Sequence, residues 1–205
     1  KKNIIQFNKL NKILKGPSHI YFDKSKNLLI ISDYDGGEVY LLNILNKRIS
    51  KLSDKSKIEL SKPHMVIKKN NIYYTLDTNL KKIYILDDNF IKIEEIITND
   101  INFDLFPKYK ESFFETIVSI KIDNSGNLYI SDVGKNNCIY VINKNKKLFG
   151  IIENKKIKIR KNTYYLNNLN LDKIYDLIVS DNIIYIASTH TDELYQIRNL
   201  FLTND

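Results

Sequence analysis

A unit repeated four times constrains this chain more than any other feature of it. Each copy holds a short apolar run, a polar turn, a second apolar run ending in Asp or Ser, another polar turn and a third apolar run. The copies fall at 20–43, 66–87, 120–143 and 177–199. The second run closes as Ile31-Ser32-Asp33, Thr75-Leu76-Asp77, Ile130-Ser131-Asp132 and Ile186-Ala187-Ser188. The second residue of the third run is a Tyr every time: Tyr40, Tyr84, Tyr140 and Tyr195. A unit of this size cannot bury both of its own faces, so copies must stack on one another.

The runs read as strands. They are short, rich in Ile, Val and Tyr, and bounded by Asn, Asp, Gly and Ser. Asp123-Asn124-Ser125-Gly126-Asn127 is hairpin chemistry, because Asn and Gly tolerate positive φ. The first-run anchors Ile20, Val66, Ile120 and Leu177 lie about 46, 54 and 57 residues apart, in or just above the range of propeller blades. The expected fold is all-β: a β-propeller of four-stranded blades, four within this chain, forming either a whole ring or part of a larger one. Blade cores are expected at about 17–60, 63–100, 117–160 and 174–202 of a single domain spanning 1–205. Outer strands are expected at 48–52, 91–97 and either 148–152 or 157–159. The fourth copy lacks one. The strand-like N-terminal stretch within 3–14 is expected to supply it and close the ring, which removes exposed sheet edges.

Composition narrows function only by exclusion. No apolar stretch nears the ~18 residues of a membrane-spanning helix. No targeting segment is visible after Lys1-Lys2, and a first residue other than Met is compatible with a removed leader or a further domain. The net charge of +8 suggests an acidic partner, but the basic residues are almost all Lys, with Arg only at 48, 160 and 198. Lys, Asn and Ile dominate and Ala187 is the sole Ala, the imprint of an AT-rich genome. Nucleic-acid sites favour the planar fork of Arg, so a nucleic-acid partner is disfavoured. Its candidate contacts would be Lys155, Lys156, Lys158 and Arg160, which alternate with Ile157 and Ile159 as on a Lys-guarded edge strand. Cys138 is the only Cys, so no intrachain disulfide forms, and no compartment follows.

Pro17-Ser18-His19-Ile20, then Asn27 through Asp33, then Val39-Tyr40 resembles an NHL-type propeller repeat. The run from Asp123 to Ile139 is the nearest copy, with its Gly-Asn, apolar strand, Asp, Gly and Asn, then Ile order. The resemblance covers nearly the whole chain and implies a β-propeller fold. It departs in blade number, since NHL domains usually carry about six blades. Propellers of this kind include protein-binding scaffolds, RNA-binding modules and metal-dependent lyases and lactonases. The lyases place His after Pro at blade starts, facing the central channel. Pro63-His64 matches that placement. His19 is off by one residue, so its side chain is expected to alternate to the other face. With His190 from a third copy, these would be the ligands of an open zinc site, His64 being the one candidate for a catalytic role. Such an enzyme would take a small-molecule ligand in its channel.

Two further features have structural readings. Asp33-Tyr34-Asp35-Gly36 has oxygen ligands at calcium-like spacing, although turn chemistry explains it without a metal. The repeated Asp33, Asp77 and Asp132, with Ser188, are expected to accept backbone N–H bonds in the turn that follows. The aromatic insertion at 98–116 offers Phe106, Tyr109, Phe113 and Phe114 as a docking surface for a protein partner. The expected function is therefore a non-catalytic binding scaffold with no cofactor. A zinc- or calcium-dependent lyase or lactone hydrolase, and RNA binding through the basic surface, are the alternatives.

Overall fold

The computed structural model describes residues 12–180 and 182–202. The chain is an all-β, four-blade β-propeller: four antiparallel sheets set about one axis. Blade one comprises β1 (Pro17–Asp23), β2 (Leu28–Asp33), β3 (Glu38–Asn43) and β4 (Ile49–Lys51), followed by the short helix α1 (Leu52–Ser56). Blade two comprises β5 (Pro63–Lys69), β6 (Ile72–Asp77), β7 (Lys82–Leu86) and β8 (Lys92–Ile96). Blade three runs through β9 (Ile117–Ile122), β10 (Leu128–Asp132), β11 (Cys138–Ile142), β12 (Leu148–Glu153), β13 (Lys156–Ile159) and β14 (Asn162–Tyr165). Blade four holds β15 (Ile174–Val179), β16 (Ile183–Ser188) and β17 (Glu193–Arg198).

The outer strands of blades one and two lie where expected. In blade three both alternatives are strands, and β14 extends the sheet to six. Among the described residues blade four has three strands. The closing strand expected from 3–14 falls mostly outside the described residues, and the expected ring closure with it.

The pleat gives every blade two working faces. The leading face, toward the preceding blade, carries the anchor and the repeated Tyr. Ile20, Ile31 and Tyr40 stand opposite one another across three strands, as do Val66, Thr75 and Tyr84, or Ile120, Ile130 and Tyr140. The trailing face carries the alternate residues. Leu28, Ile30, Val39 and Leu41 of blade one pack with Val66, Tyr73, Tyr84 and Leu86 of blade two. Met65, Leu76 and Ile83 pack likewise on Ile120, Ile130 and Tyr140, and Tyr129, Ile139 and Val141 on Leu177, Ile184 and Ile186. The lead-in to each blade adds an apolar pair to the same face: Ile58 and Leu60, Phe113 and Phe114, Leu169 and Leu171, and in blade one Ile13 and Leu14.

The repeated carboxylates hold these lead-ins. Asp33 accepts from the N–H groups of Lys15 and Gly16, Asp77 from Ser61 and Lys62, and Asp132 from Glu115 and Thr116, at 2.6–3.2 Å. Ser188 accepts from the N–H of Asp172 at 2.9 Å. The following turn supplies only a third bond, from Leu80 to Asp77 and from Gly134 to Asp132. The expected partners were those of the following turn. The chain in fact folds the lead-in back over the end of the second strand, where its N–H groups have no ladder partner. Asp33 is thereby occupied by backbone donors, in keeping with the structural reading of 33–36.

One junction is different. The anchors Val66, Ile120 and Leu177 are 1%, 0% and 2% exposed, but Ile20 is 59% exposed. On the trailing side Val39, Ile83 and Ile139 are each 0% exposed, but their counterpart Leu194 is 73% exposed. Strand β1 packs on β5, β5 on β9 and β9 on β15; among the described residues no comparable packing joins β15 back to β1. The leading face of blade one and the trailing face of blade four form an open seam.

Candidate functional site

Each inner strand carries a bulge at the same repeat position. Register shifts leave Ser18, His64, Val118 and Tyr175 without an opposite residue on the neighbouring strand. A bulge bends its strand and re-aims side chains, and here it does so beside the propeller axis. Ser18 Oγ donates to the His64 carbonyl at 2.8 Å. The His64 side chain is hydrogen-bonded to the backbone of Val118. Ser119 Oγ donates to Asp176 Oδ1 at 2.7 Å and lies 3.8 Å from Met65 Sδ. Lys121 Nζ pairs with Asp176 Oδ1 at 2.8 Å. Inner strands one to four are thus tied in sequence by residues on, or next to, the bulges.

His19 and His64 share this cluster. His19 stands opposite Ser32 as Met65 stands opposite Leu76, one repeat place from His64, and each histidine sits within electrostatic range of Asp176. Burial, reinforced by Lys121, lowers His19 to about 4 despite the opposing Asp176. Burial also lowers His64, against its bond to Val118 and the charge of Asp176. Both imidazoles are therefore neutral at pH 7. Burial lifts the Asp176 carboxyl, but Lys121 and Ser119 outweigh it and keep the group ionised. The Nδ1 atoms of His19 and His64 are buried and find no hydrogen-bond partner among the described residues. Tyr34 meets His64 edge-on, ring centroids 5.6 Å apart, and Lys62 Nζ stands 4.6 Å above the Tyr34 ring.

The other sequence candidates go elsewhere. His190 is exposed in the turn after β16, 3.3 Å from Asp172, and is not part of the axial cluster. Among the described residues no three His, Cys, Asp or Glu side chains are grouped as metal ligands, so the three-histidine zinc set is not assembled. Phe106, Tyr109, Phe113 and Phe114 are buried in the junction of blades two and three. Phe113 stacks on Phe114 at 4.2 Å and tilts against Tyr140 at 4.4 Å. These four are core, not a docking surface, because the insertion fills the space between two sheets.

The basic run is also partly spent. Lys156 and Lys158 both pair with Glu153, and Lys158 reaches the Tyr109 hydroxyl at 2.5 Å. Lys155 and Arg160 are exposed. Strand β13 is not the edge, since β14 covers it. A polar cleft of about 430 Å³ lies beside this strand, lined by Asn137, Glu153, Lys156, Asn170, Asp172 and Thr191.

Ser119, Lys121 and Asp176 were missed in the sequence. Their signal was present: Ser119 and Asp176 hold the position just before the anchor, as His19 does, and Lys121 the one just after.

No protein-family profile matches the chain, and no curated protein sequence matches it. Solved structures do. The WD40 β-propeller domain of Doa1 superposes with a TM-score of 0.56 at 13% identity, covering 90% of this chain and 51% of that one. A chain of the mitotic checkpoint complex gives 0.56 at 9% identity, covering 89% and 50%. Streptogramin B lyase gives 0.51 at 14% identity, covering 90% and 69%. At these identities the likeness is one of fold: the class is the β-propeller, as the sequence resemblance implied. The chain spans about half the length of the first two propellers.

Proposed function

We propose that this chain is a non-catalytic binding module that presents the axial face of its propeller to a protein partner. The observation that carries the reading is the pair of buried, unpartnered Nδ1 atoms of His19 and His64 beside the Tyr34 ring. A buried polar atom without a partner is costly, and a peptide whose docking turns either ring outward would relieve that cost. The strong charges nearby are already committed to each other, Lys121 to Asp176, and the Ser119 hydroxyl donates to the same carboxylate. Neutral, unsatisfied hydrogen-bonding groups beside an aromatic ring suit recognition better than charge-driven chemistry. A matching chain of the mitotic checkpoint complex belongs to a protein assembly, in line with this reading.

A second reading rests on the same two histidines, because a matching structure is a lyase. Two neutral imidazoles would be half of an open metal site, but Asp176 would have to leave Lys121 to complete it. RNA binding is the weakest reading, since Lys156 and Lys158 are both ion-paired with Glu153.

The test is a photo-activatable residue at Tyr34 or Lys62, irradiated in extract of the protein's own organism. A single protein adduct, lost with His64→Ala and not formed by a probe at Ile93 on β8, supports the binding module. About one zinc per chain in tag-free protein, released by His64→Ala, would turn the assignment to the metal-dependent enzyme.

A further inference from the structure

The open seam is an interblade junction with both halves present and, among the described residues, no neighbouring sheet across it. On one side the leading face of blade one keeps every part its counterparts use. Ile20 and Phe22 are exposed there, while Ile31, Tyr40 and Leu42 are already covered, with Leu29 and the lead-in pair Ile13 and Leu14 packed on them as Ile58 and Leu60 pack in blade two. On the other side, Ile178, Tyr185 and Leu194 hold the positions that Tyr21, Ile30 and Val39 hold in blade one. In blades one to three the third of these positions is sealed by the next sheet; in blade four it faces solvent.

We propose that the seam binds a second copy of this chain, blade four of each copy seating on blade one of the other. Three observations favour this occupant. Every copy carries both halves of the junction, so two copies satisfy both seams at once and leave neither face open, which is how a head-to-tail contact closes. The four blades superpose over nine-tenths of the chain on about half of propellers roughly twice as long, so the arc is one to which a second arc adds. The exposed positions are large and apolar where water-facing sheet surface is usually polar. The proposal is independent of the axial binding reading, which concerns the inner strands.

The test is the mass of the chain in solution by light scattering and sedimentation over a range of concentrations. Dimer is expected. Ile20→Asp and Leu194→Asp alter opposite faces, and each should weaken the dimer by at least about tenfold, since each buries an unpaired charge. Both side chains are exposed in the single copy, so either variant should keep the far-UV spectrum and melting of a lone wild-type chain. Ile93→Asp, on the exposed outer strand of blade two, is the control and should leave the dimer intact. A wild-type chain that stays monomeric overturns the proposal. So does a dimer indifferent to Ile20→Asp or to Leu194→Asp, or one that Ile93→Asp breaks equally well.

Discussion

Blades two and three meet across a filled junction, while blades four and one leave theirs open, and the same repeat wrote both. At the filled junction Ile120, Ile130 and Tyr140 meet Met65, Leu76 and Ile83, and the insertion adds Phe113 and Phe114. At the open one Ile20 and Leu194 occupy matching register positions with solvent in front of them. The pleat and the repeat decide which side chains point at a junction. Only a neighbouring sheet decides whether they are buried. An apolar residue at a repeat position therefore reports an interface, not its occupant.

The sharpest way to break this contrast is to cut into both junctions. Phe114→Ala empties a fully buried aromatic site between blades two and three and should cost about 3–5 kcal/mol in urea unfolding. A loss under ~1 kcal/mol would mean the junction is not the stabilising unit it looks to be. Next come the lead-in bonds. Asp132→Ala leaves the N–H groups of Glu115, Thr116 and Gly134 unpaired and should cost about 1–3 kcal/mol. Ser188→Ala at the lead-in of blade four removes one acceptor and should cost about 1 kcal/mol. Equal losses would erase the difference between the carboxylate and the hydroxyl lead-ins.

Acid should act on the filled side too. At the junction of blades one and two, burial alone would raise the Asp23 carboxyl, but Lys68, Ser25 and Tyr73 outweigh it and hold it well below the ordinary carboxylate range. A depressed carboxyl contributes stability that is present above its unfolded value of 3.8 and lost as pH falls through the folded one. The urea midpoint should fall between pH 5 and pH 3, and Asp23→Asn should flatten that fall. His19 has the same sign at a higher window. Its contribution is full above 6.5 and declines as pH drops toward about 4, because the unfolded chain takes up a proton that the native site refuses. An NMR titration of the His19 ring should show its midpoint near that lower value. The smallest effect belongs to the seam. For the lone copy, Ile20→Ala should change stability by less than ~0.5 kcal/mol, and a loss comparable to Phe114→Ala would show the seam to be closed in solution.

Much of the architecture was legible because strand alternation and turn residues are local signals. The anchor spacing and the repeated Tyr marked four blades and their leading faces. Three things were not legible. The bulge at Ser18 is one residue of register, and nothing in Pro17-Ser18-His19 announces it. The burial of Phe113 and Phe114 depends on where a long insertion folds back, a contact between blades that no short window contains. The pairing of Lys158 with Glu153 spans a hairpin, so the basic run reads as a positive stripe until its strands are laid side by side.

The lead-in bonds reach only 15 to 18 residues along the chain. Contacts that short close small loops, which form quickly and early. Each blade can therefore fix its own start before the next one is made. During synthesis the chain would grow as a series of nearly finished sheets, each docking on the one before. At every step the newest sheet would present an apolar side to the solvent until its successor arrived. That interim surface is a transient hazard for aggregation in three of the blades, and in the fourth it is the surface a second copy would have to reach first.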